Sequence, residues 1–243
     1  MDSHYLEEAL SRTRRVWVDD LKLGEVGLST EERHYLEQVL RVADGTVVEV
    51  FDGQGKVGKA KLNLGSNTMQ VSELEARVDS GPEIRLYQAI PKGDRWEWTI
   101  EKATELGVTA IYPILTERTV VQVPPGKLAV KLERWQKIAT AAARQSHAAL
   151  TPSVEAPIQL KDALLSEGRK YFGDFEGESA SDFELGDSDA PIELFVGPEG
   201  GFSAAELHLL NANATGIYLG PQVLRAETAA IAFITWAQLK TGW

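Results

Sequence analysis

The chain has 243 residues, of which 43% are hydrophobic and 25% are charged, and it contains no cysteine. This size and composition are typical of a soluble globular protein with one large domain or two small ones, and they exclude disordered, fibrous and disulfide-rich proteins. Because cysteine is absent, thiolate metal sites and a cysteine nucleophile are excluded as well.

The net charge of −11 comes largely from one segment. Eight of the 36 acidic residues and none of the 25 Lys and Arg residues lie between Asp174 and Glu193, which leaves the rest of the chain at −3. We interpret this Gly-, Ser- and Asp-rich segment as a solvated loop. A basic surface elsewhere, and with it a nucleic-acid partner, therefore stays open.

Nothing in the sequence predicts a membrane or secreted protein. No uninterrupted apolar run approaches the roughly 18 to 20 residues that a membrane helix needs. The segment Met1–Glu8 lacks the basic-then-apolar pattern of a signal peptide. We therefore expect a cytoplasmic protein without a membrane partner.

The first 78 residues predict a small β-rich domain. One helix interrupts its strands, since Ser29 and Glu32 have the spacing of a capping box and apolar residues follow at helical spacing. Short apolar or alternating runs predict four strands, Arg15–Val18, Thr46–Phe51, Lys56–Leu62 and Thr68–Leu74. We expect residues 1–78 to form a small barrel.

One motif in this region is misleading. Gly53, Gly55 and Gly58 match the GxGxxG dinucleotide pattern, and Glu73 follows at about the 20-residue distance that this pattern requires. The dinucleotide site needs a strand that leads into a helix, whereas Lys56–Leu62 is predicted as a strand. We interpret the motif as a hairpin turn and do not expect NAD as a cofactor.

Residues 82–243 show a different pattern. After the linker-like stretch Asp79–Pro82, predicted strands alternate with predicted helices, which is typical of a largely parallel sheet with helices on its faces. The predicted strands are Ile84–Ile90, Thr109–Leu115, Lys170–Gly173, Ile192–Val196 and Gly216–Leu219. The predicted helices are Asp94–Leu106, Leu128–His147, Ser203–Asn211 and Ala226–Lys240.

A glycine-rich loop follows one of these strands. The apolar run Ile192–Val196 leads into Gly197–Phe202, after which Ser203 and Glu206 predict a capping box at the start of a helix. Such a loop can bring backbone N–H groups close to a ligand, although similar loops are also plain turns. Glu199 adds a carboxylate that can meet a cation or an amine.

A second glycine, Gly220, follows the next predicted strand. Beyond it, Arg225 and Glu227 flank the start of the last helix. They form either a surface ion pair of little energetic weight or a ligand site at the carboxyl ends of parallel strands, where open α/β sheets bind their ligands.

The last helix is apolar on every side, which predicts burial against the core on one face and a subunit interface on another. Trp98 points away from the apolar face of its helix, as an interface or substrate-stacking residue would. The four histidines show no metal-ligand spacing, and the sequence has no HExxH, GxSxG or Walker motif. We therefore expect neither a metal centre nor a serine hydrolase.

Several short motifs occur in an order that resembles one family. They are Pro91–Arg95, Ile100–Gly107, Glu117-Arg118, Trp135–Ala139, Gly197–Gly201 and Leu224–Ala229, preceded by Arg15–Val18, His34, Val39–Arg41 and Phe51–Gly53. Together they closely resemble the bacterial 16S ribosomal RNA uridine-N3 methyltransferases of the SPOUT superfamily, over nearly the whole chain. Each motif is weak alone, and their ordered combination is specific.

The resemblance implies an α/β fold in which a PUA-like β-barrel for RNA, residues 1–78, precedes a SPOUT methyltransferase domain with a C-terminal trefoil knot, residues 82–243. It implies a homodimer that uses S-adenosylmethionine to methylate 16S rRNA, within the small ribosomal subunit, during ribosome biogenesis. The cofactor-binding residues it implies are Gly197, Glu199, Gly200, Gly201, Leu219, Gly220, Val223, Leu224 and Arg225.

Charged residues of the motifs are candidates for catalysis and for RNA contacts. Glu227 is the candidate that takes the proton from uridine N3 or orients the group that takes it, and Arg225 or Arg118 would stabilise negative charge on the uracil carbonyls. Phosphate contacts provide much of the affinity for RNA. The expected RNA contacts are Arg15, His34, Arg41, Lys92 and Arg95.

Two departures from the family pattern leave alternatives open. A Gln-Ser-Gly-Arg-like run of the family reads Gln145-Ser146-His147-Ala148-Ala149 here, without the arginine, and Tyr35 replaces a common second histidine. A non-catalytic RNA-binding or ribosome-assembly protein of the same fold, or a SPOUT methyltransferase with another RNA target, would share most of these motifs. The intact runs Gly197–Gly201 and Leu224–Ala229 favour catalysis.

Overall fold

The structure is a computed structural model that describes residues 14–77, 81–121, 123–186 and 188–242. The chain divides into two compact units, Met1–Asp79 with Ala143–Thr151 and Ser80–Ala142 with Pro152–Trp243. Asp79 and Ser80 of the predicted linker, and the segment Met1–Glu8, lie outside the described residues.

The first unit contains one five-stranded sheet. Its strands are β1 (Arg15–Trp17), β2 (Gly24–Gly27), β3 (Val47–Phe51), β4 (Lys56–Asn63) and β5 (Thr68–Ala76). Their order is β1-β3-β4-β5-β2, with β1 parallel to β3 and the other neighbours antiparallel. The sequence does not predict β2, because two of its four residues are glycines.

A short helix lies between β2 and β3. Helix α1 (Thr30–His34) begins after the predicted cap Ser29, whose side chain accepts the Glu32 N–H, and the chain continues as a π-helical turn (Tyr35–Val39). Leu36 of this turn is fully buried in the apolar core of the unit.

The GxGxxG motif forms the β3–β4 hairpin, which confirms its interpretation as a turn. Gly53 and Gly55 have φ of +68° and +98°, a region that favours glycine. Gly58 lies within β4, where a Cβ would collide with the backbone carbonyl of Glu73 on β5. A strand rather than a helix follows the glycines, so the requirement of a dinucleotide site is not met.

The segment Ala143–Thr151 is anchored in the first unit by buried Arg15. Nη1 of this arginine donates to the carbonyl oxygens of Ala143 and Ala148, at 2.9 and 2.7 Å. Its Nε lies 2.5 Å from the Glu49 carboxylate, and its guanidinium stacks over a phenylalanine ring of β3. The guanidinium is therefore buried inside the unit and does not face solvent.

A second buried ion pair and backbone bonds complete this packing. Arg144 pairs with Glu32 of α1, and the Gly55 N–H donates to the carbonyl of fully buried Ala149 at 3.2 Å. The run that departs from the family pattern thus contacts the first unit through the Ala148 carbonyl and through Ala149, which is buried.

The second unit is built on a seven-stranded sheet with parallel pairings. Its strands are β6 (Ile84–Ala89), β7 (Ala110–Leu115), β8 (Ser153–Val154), β9 (Ile158–Gln159), β10 (Arg169–Ser179), β11 (Ile192–Val196) and β12 (Thr215–Tyr218). The order is β12-β10-β11-β6-β7-β8, and β9 also pairs with β7. The helices are α2 (Arg95–Glu105), α3 (Pro125–Gln145), α4 (Leu160–Ala163), α5 (Ala204–Asn213) and α6 (Ala226–Thr241).

This alternation confirms the predicted α/β class. Strand β11 is buried at every residue, and α6 packs against β6, β11 and α2 through Ala230, Phe233 and Ile234. Parallel strands place their carboxyl ends at one edge of a sheet. The loops that follow β6, β7, β10, β11 and β12 therefore share this carboxyl edge.

Two features of the second unit differ from the sequence expectation. Strand β10 extends to Ser179, so the interpretation of the acidic segment as a loop from Asp174 onward is wrong for residues 174–179. The strand continues because Glu178 and Ser179 pair with β12 after a bulge. Strands β8 and β9, of two residues each, are too short for a sequence pattern. No helix in the described ranges is both long and apolar enough to cross a membrane.

Candidate active site

The first loop at the carboxyl edge joins β11 to α5. Ser203 caps α5, and both bonds of the predicted capping box are present, with Glu206 as the second member. Gly201 has φ of +69°, and its N–H donates to the Pro198 carbonyl at 2.8 Å. The glycine permits this tight turn, which brings backbone groups and the start of α5 to the edge.

The second loop joins β12 to α6. Gly220 has φ of +144°, which only glycine adopts readily. Arg225 is the residue immediately before α6, with an extended backbone and an exposed side chain. In the described part of the chain, its guanidinium makes no hydrogen bond or ion pair, so it is available to a substrate.

The two loops enclose a cavity of about 430 Å³. Small-molecule sites typically measure about 300 to 1,000 Å³. Of the predicted cofactor-binding residues, those that line the cavity are Gly197, Glu199, Gly200, Gly201, Leu219, Gly220, Val223 and Leu224. Arg225 does not line it, although its neighbour Ala226 does.

Among the described residues, the charged side chains that line this cavity are all acidic. Asp174 and Glu199 contribute carboxylates, and no Lys, Arg or His is found among the described lining residues. The remaining wall consists of apolar side chains, glycines and the uncharged polar residues Tyr218 and Gln222. The cavity therefore suits a ligand that carries positive charge and hydrogen-bond donors, and it does not suit a phosphate.

Glu199 is held by the loop that follows β6. Its Oε1 accepts the Lys92 N–H at 3.1 Å and lies 3.9 Å from Nη1 of Arg95. Burial alone would raise the pKa of the Glu199 carboxyl, but two backbone N–H groups and the charges of Lys92 and Arg95 hold that pKa below its usual value. Glu199 is therefore a fixed anion at the cavity wall.

Arg95 also reaches Glu227, in the first turn of α6. Its Nε lies 3.3 Å from Oε1 of this carboxylate, whose side chain is only 11% exposed. The other oxygen, Oε2, is buried and has no hydrogen-bond partner in the described ranges. A buried acceptor without a donor costs about 1 to 3 kcal/mol, so Oε2 of Glu227 is a candidate acceptor for a hydrogen bond from a ligand.

Arg118 holds the first loop from the side of β7. Its Nη1 donates to the Gly200 carbonyl at 2.7 Å and approaches that of Phe202 at 3.4 Å. The neighbouring Glu117 N–H donates to Glu206 at 2.7 Å. Arg118 does not line the cavity, so its contacts indicate a role in fixing the loop.

The structure separates the five expected RNA contacts into different environments. His34 and Arg41 are exposed in the first unit, Lys92 is exposed in the second, and Arg95 is 41% exposed beside two carboxylates. The expectation that Arg15 contacts RNA is wrong. Arg15 is 3% exposed, and its guanidinium is bound to two carbonyls and a carboxylate. A phosphate cannot reach it in this conformation.

Several residues of the cavity are not predicted by the sequence, and the two on the β10 side are the most informative. Asp174 and Phe175 line the wall formed by β10, within the segment expected to be a loop. Gly173 and Gly177 on either side were the available signal, since glycine inside a strand often marks a bulge. Within the described ranges, no three His, Asp or Glu side chains are grouped so that they could hold a metal ion.

Comparison with known proteins places this site in a family. Residues 79–238 match a model described as an RNA methyltransferase domain. The chain is 37% identical over 221 residues to the ribosomal RNA small subunit methyltransferase E of Synechocystis, a match that covers 84% of this chain and 69% of the relative.

Two solved structures are also similar. A Legionella pneumophila structure in complex with the bound cofactor SAM has a TM-score of 0.85 at 29% identity. The ribosomal RNA small subunit methyltransferase E of Neisseria gonorrhoeae, bound to S-adenosyl methionine, has a TM-score of 0.78 at 32% identity. Each match covers 94% of this chain and 98% of the other.

The α/β fold and the matched model define the class as that of the RNA methyltransferases. Within this class, the chain belongs to the ribosomal RNA small subunit methyltransferase E family.

Proposed function

We propose that this protein transfers a methyl group from S-adenosylmethionine to N3 of one uridine in the 16S rRNA of the small ribosomal subunit, in the cytoplasm. The observation that carries the proposal is the cavity around which the two glycine loops meet at the carboxyl edge. The family resemblance predicts the same two loops as the cofactor-binding wall.

The residues of the cavity fit this cofactor. When bound, S-adenosylmethionine supplies an activated methyl group on a positively charged sulfonium. Asp174 and Glu199 match the positive charge of the ligand, and the glycine loops offer backbone groups to its polar edges. The apolar side chains of the cavity wall, among them Leu224 and Phe233, would exclude water from the apolar parts of the cofactor.

The chain provides separate groups for the uridine. The N3 atom must lose its proton, and Oε2 of Glu227 is a buried acceptor that can receive the N3–H. Arg225 is exposed on the turn before it and can stabilise negative charge on a uracil carbonyl. Of the two, Arg225 is exposed to a base that approaches from outside the cavity, whereas Glu227 must be reached through the first turn of α6 in which it is buried.

Two arginines are assigned to positioning. Arg118 is bound to the Gly200 carbonyl, so we assign it to holding the cofactor loop rather than to the uracil. Arg95 joins Glu199 of the cavity wall to Glu227, and it thereby fixes the second carboxylate relative to the first.

The domain roles that we propose are a PUA-like RNA-binding barrel over residues 1–78 and a knotted SPOUT domain over residues 82–243. All five strands of the first sheet contribute to one apolar core, which supports a barrel. In the second unit, β12 lies outside β10, yet α6 returns to pack on β6 and β11. The chain thus runs from the edge strand β12 back to the central strands β6 and β11. This path, together with the family resemblance, supports a knot, which is a rare topology.

We further propose that the protein acts as a homodimer. Trp98 on α2 and Leu239 on α6 are 43% and 74% exposed, and these two helices pack against each other. Tryptophan is enriched at subunit interfaces, so the exposed Trp98 ring is the candidate contact for a second copy of the chain.

The proposed function is tested by methyl transfer from labelled S-adenosylmethionine to small ribosomal subunits that lack the modification, followed by nucleoside analysis. We expect N3-methyluridine as the labelled product. Cofactor binding without methylation of any RNA would contradict the proposal and favour a ribosome-assembly role. Label in a different nucleoside would favour another methyltransferase target.

A further inference from the structure

Two buried side chains beneath the carboxyl edge of the second sheet carry polar atoms without partners. Gln88, near the end of β6, is fully buried, and neither Oε1 nor Nε2 of its amide has a hydrogen-bond partner in the described ranges. Trp96, in the first turn of α2, is also buried, and the same holds for its Nε1. Unsatisfied buried polar groups lower stability and are rare, so each of them requires an explanation.

The side chain of Gln88 points to the face of the sheet that α2 and α6 cover. Successive residues of a strand alternate between the two faces, so Gln88 shares a face with Leu86. Leu86 belongs to the apolar cluster that includes Trp96 of α2 and Ala230 of α6. Tyr87, between Leu86 and Gln88, belongs to a different cluster. The Gln88 amide therefore lies on the side of these two helices.

Glu227 faces the same interior from the first turn of α6. It shares a helical stripe with Ala230, three residues further on, which is fully buried, and α6 packs on both β6 and α2. Val196 of β11 pairs with Gln88 in the sheet. Val196 also lines the cavity together with Ala226, the residue before Glu227. Gln88 and Glu227 are therefore brought to the same end of the interior.

The unpartnered atoms of these three residues are complementary. Nε1 of Trp96 and Nε2 of Gln88 are donors, whereas Oε1 of Gln88 and Oε2 of Glu227 are acceptors. They can be joined in series, from the indole N–H to the amide oxygen and from the amide N–H to the carboxylate, directly or through a buried water. Nε of Arg95 lies 3.3 Å from the other carboxylate oxygen, Oε1.

We propose that Gln88, supported by Trp96, is a positioning residue that holds Glu227 for the reaction by donating a hydrogen bond to Oε2. This inference rests on the proposed function, in which Oε2 receives the uridine N3–H. A carboxylate oxygen has two lone pairs, so Oε2 can accept the Gln88 N–H and the N3–H together.

The proton step explains why both oxygens of Glu227 are held. When the proton moves from N3 to Oε2, the electron pair of the N–H bond stays on N3, which then forms the bond to the methyl carbon. Arg95 fixes Oε1 and Gln88 fixes Oε2, so the carboxylate needs no reorientation during the step.

A double-mutant cycle on kcat tests this inference in the full chain, with methylation of small ribosomal subunits as the assay. Gln88→Met keeps a side chain of similar length without the amide, and we expect it to lower kcat about tenfold, the effect of one hydrogen bond to a charged group. In a Glu227→Gln background, the same substitution should change kcat less than about twofold, because it acts through the carboxylate. The dissociation constant for S-adenosylmethionine should stay at its wild-type value.

A second buried glutamine provides the matched control. Nε2 of Gln238 on α6 donates to the Leu106 carbonyl, so this amide has a partner within the chain. Gln238→Met should lower the free energy of unfolding more than Gln88→Met does, and it should leave kcat unchanged. Urea denaturation measures both variants, and the reverse order of stability and kcat effects would contradict the positioning role.

Trp96→Phe is a second, independent variant. It removes the indole N–H and keeps an aromatic ring, so we expect a smaller loss of kcat than in Gln88→Met. This loss should also disappear in the Glu227→Gln background. The variant keeps the inference testable if Gln88→Met yields too little folded protein.

The outcomes separate the inference from the function on which it rests. Wild-type kcat in Gln88→Met would overturn the inference and leave the proposed function intact. Equal losses of kcat with and without the Glu227 carboxylate would show that Gln88 does not act through it, and weaker cofactor binding at constant kcat would place Gln88 at the cofactor instead. If the wild-type chain methylates no RNA, the proposed function fails, and this inference falls with it.

Discussion

The two units of this protein use their charged side chains for different purposes. In the first unit, arginines are buried with carboxylates and hold a distant segment of chain in the interior, as Arg15–Glu49 and Arg144–Glu32 do. In the second unit, half-exposed arginines stand at the carboxyl edge and hold loops around a cavity, as Arg95 and Arg118 do. An arginine in a sequence therefore does not by itself indicate an RNA contact.

The difference follows from the two sheets. Most neighbours in the first sheet are antiparallel, and the β3–β4 and β4–β5 hairpins define much of its register. The second sheet is parallel, so its loops converge at one edge and create a site between them. Substitutions of Arg15 and Arg144 should therefore change stability, and substitutions at the carboxyl edge should change binding or turnover.

The largest expected effect is on the stability of the first unit. Arg15→Met should lower its free energy of unfolding by about 3 to 5 kcal/mol, because it removes the buried guanidinium that pairs with Glu49 and leaves the Ala143 and Ala148 carbonyls without their donor. Lys22→Met, which breaks an exposed pair with Asp20, should cost less than about 1 kcal/mol. Urea denaturation measures both, and equal effects would contradict a structural role for Arg15.

The next effect concerns turnover at the carboxyl edge. Arg225→Ala and Glu227→Gln should each lower kcat by about 10²- to 10³-fold, the typical loss of a group that stabilises the transition state. The dissociation constant for S-adenosylmethionine should not change, since neither side chain lines the cavity. Arg134→Ala, an exposed arginine paired with Glu97, serves as the matched control. Unchanged turnover in Arg225→Ala would remove its proposed role.

A smaller effect is expected on cofactor binding. Arg118→Ala should weaken the binding of S-adenosylmethionine by about tenfold, because the Gly200 carbonyl loses a charged hydrogen-bond donor and the loop loses its support. Arg118→Lys should recover part of the affinity. Titration calorimetry measures both variants, and a loss of kcat at constant affinity would instead place Arg118 at the uracil.

The smallest expected effect is a pH dependence of the free energy of unfolding of the first unit. Burial alone would raise the pKa of Glu49, but the hydrogen bond from His147 and the charges of Arg15, His147 and Arg77 hold it below its ordinary value of 4.5. A lowered folded-state pKa stabilises the protein above pH 4.5, and this stability is lost as the pH falls through the folded value. Unfolding free energies measured below pH 4.5 should fall more steeply in wild type than in Glu49→Gln.

Local patterns allowed much of the site to be predicted from the sequence. The strand–glycine–cap order around Gly197 and Ser203 specifies a loop at a helix start, whichever other residues surround it. The burial of Arg15 could not be predicted, because its partners Ala143 and Ala148 lie more than 120 positions away. The same limit applies to Asp174, whose place depends on packing against Gly216 of another strand.

The most direct test of the central claim is reverse transcription across 16S rRNA from subunits that lack this methyl group, after incubation with the protein and S-adenosylmethionine. A methyl group on N3 blocks the base-pairing edge of uracil. We therefore predict one new stop at a single uridine, which requires the cofactor and is lost with Glu227→Gln. Methyl transfer to the RNA without any stop would contradict methylation at N3.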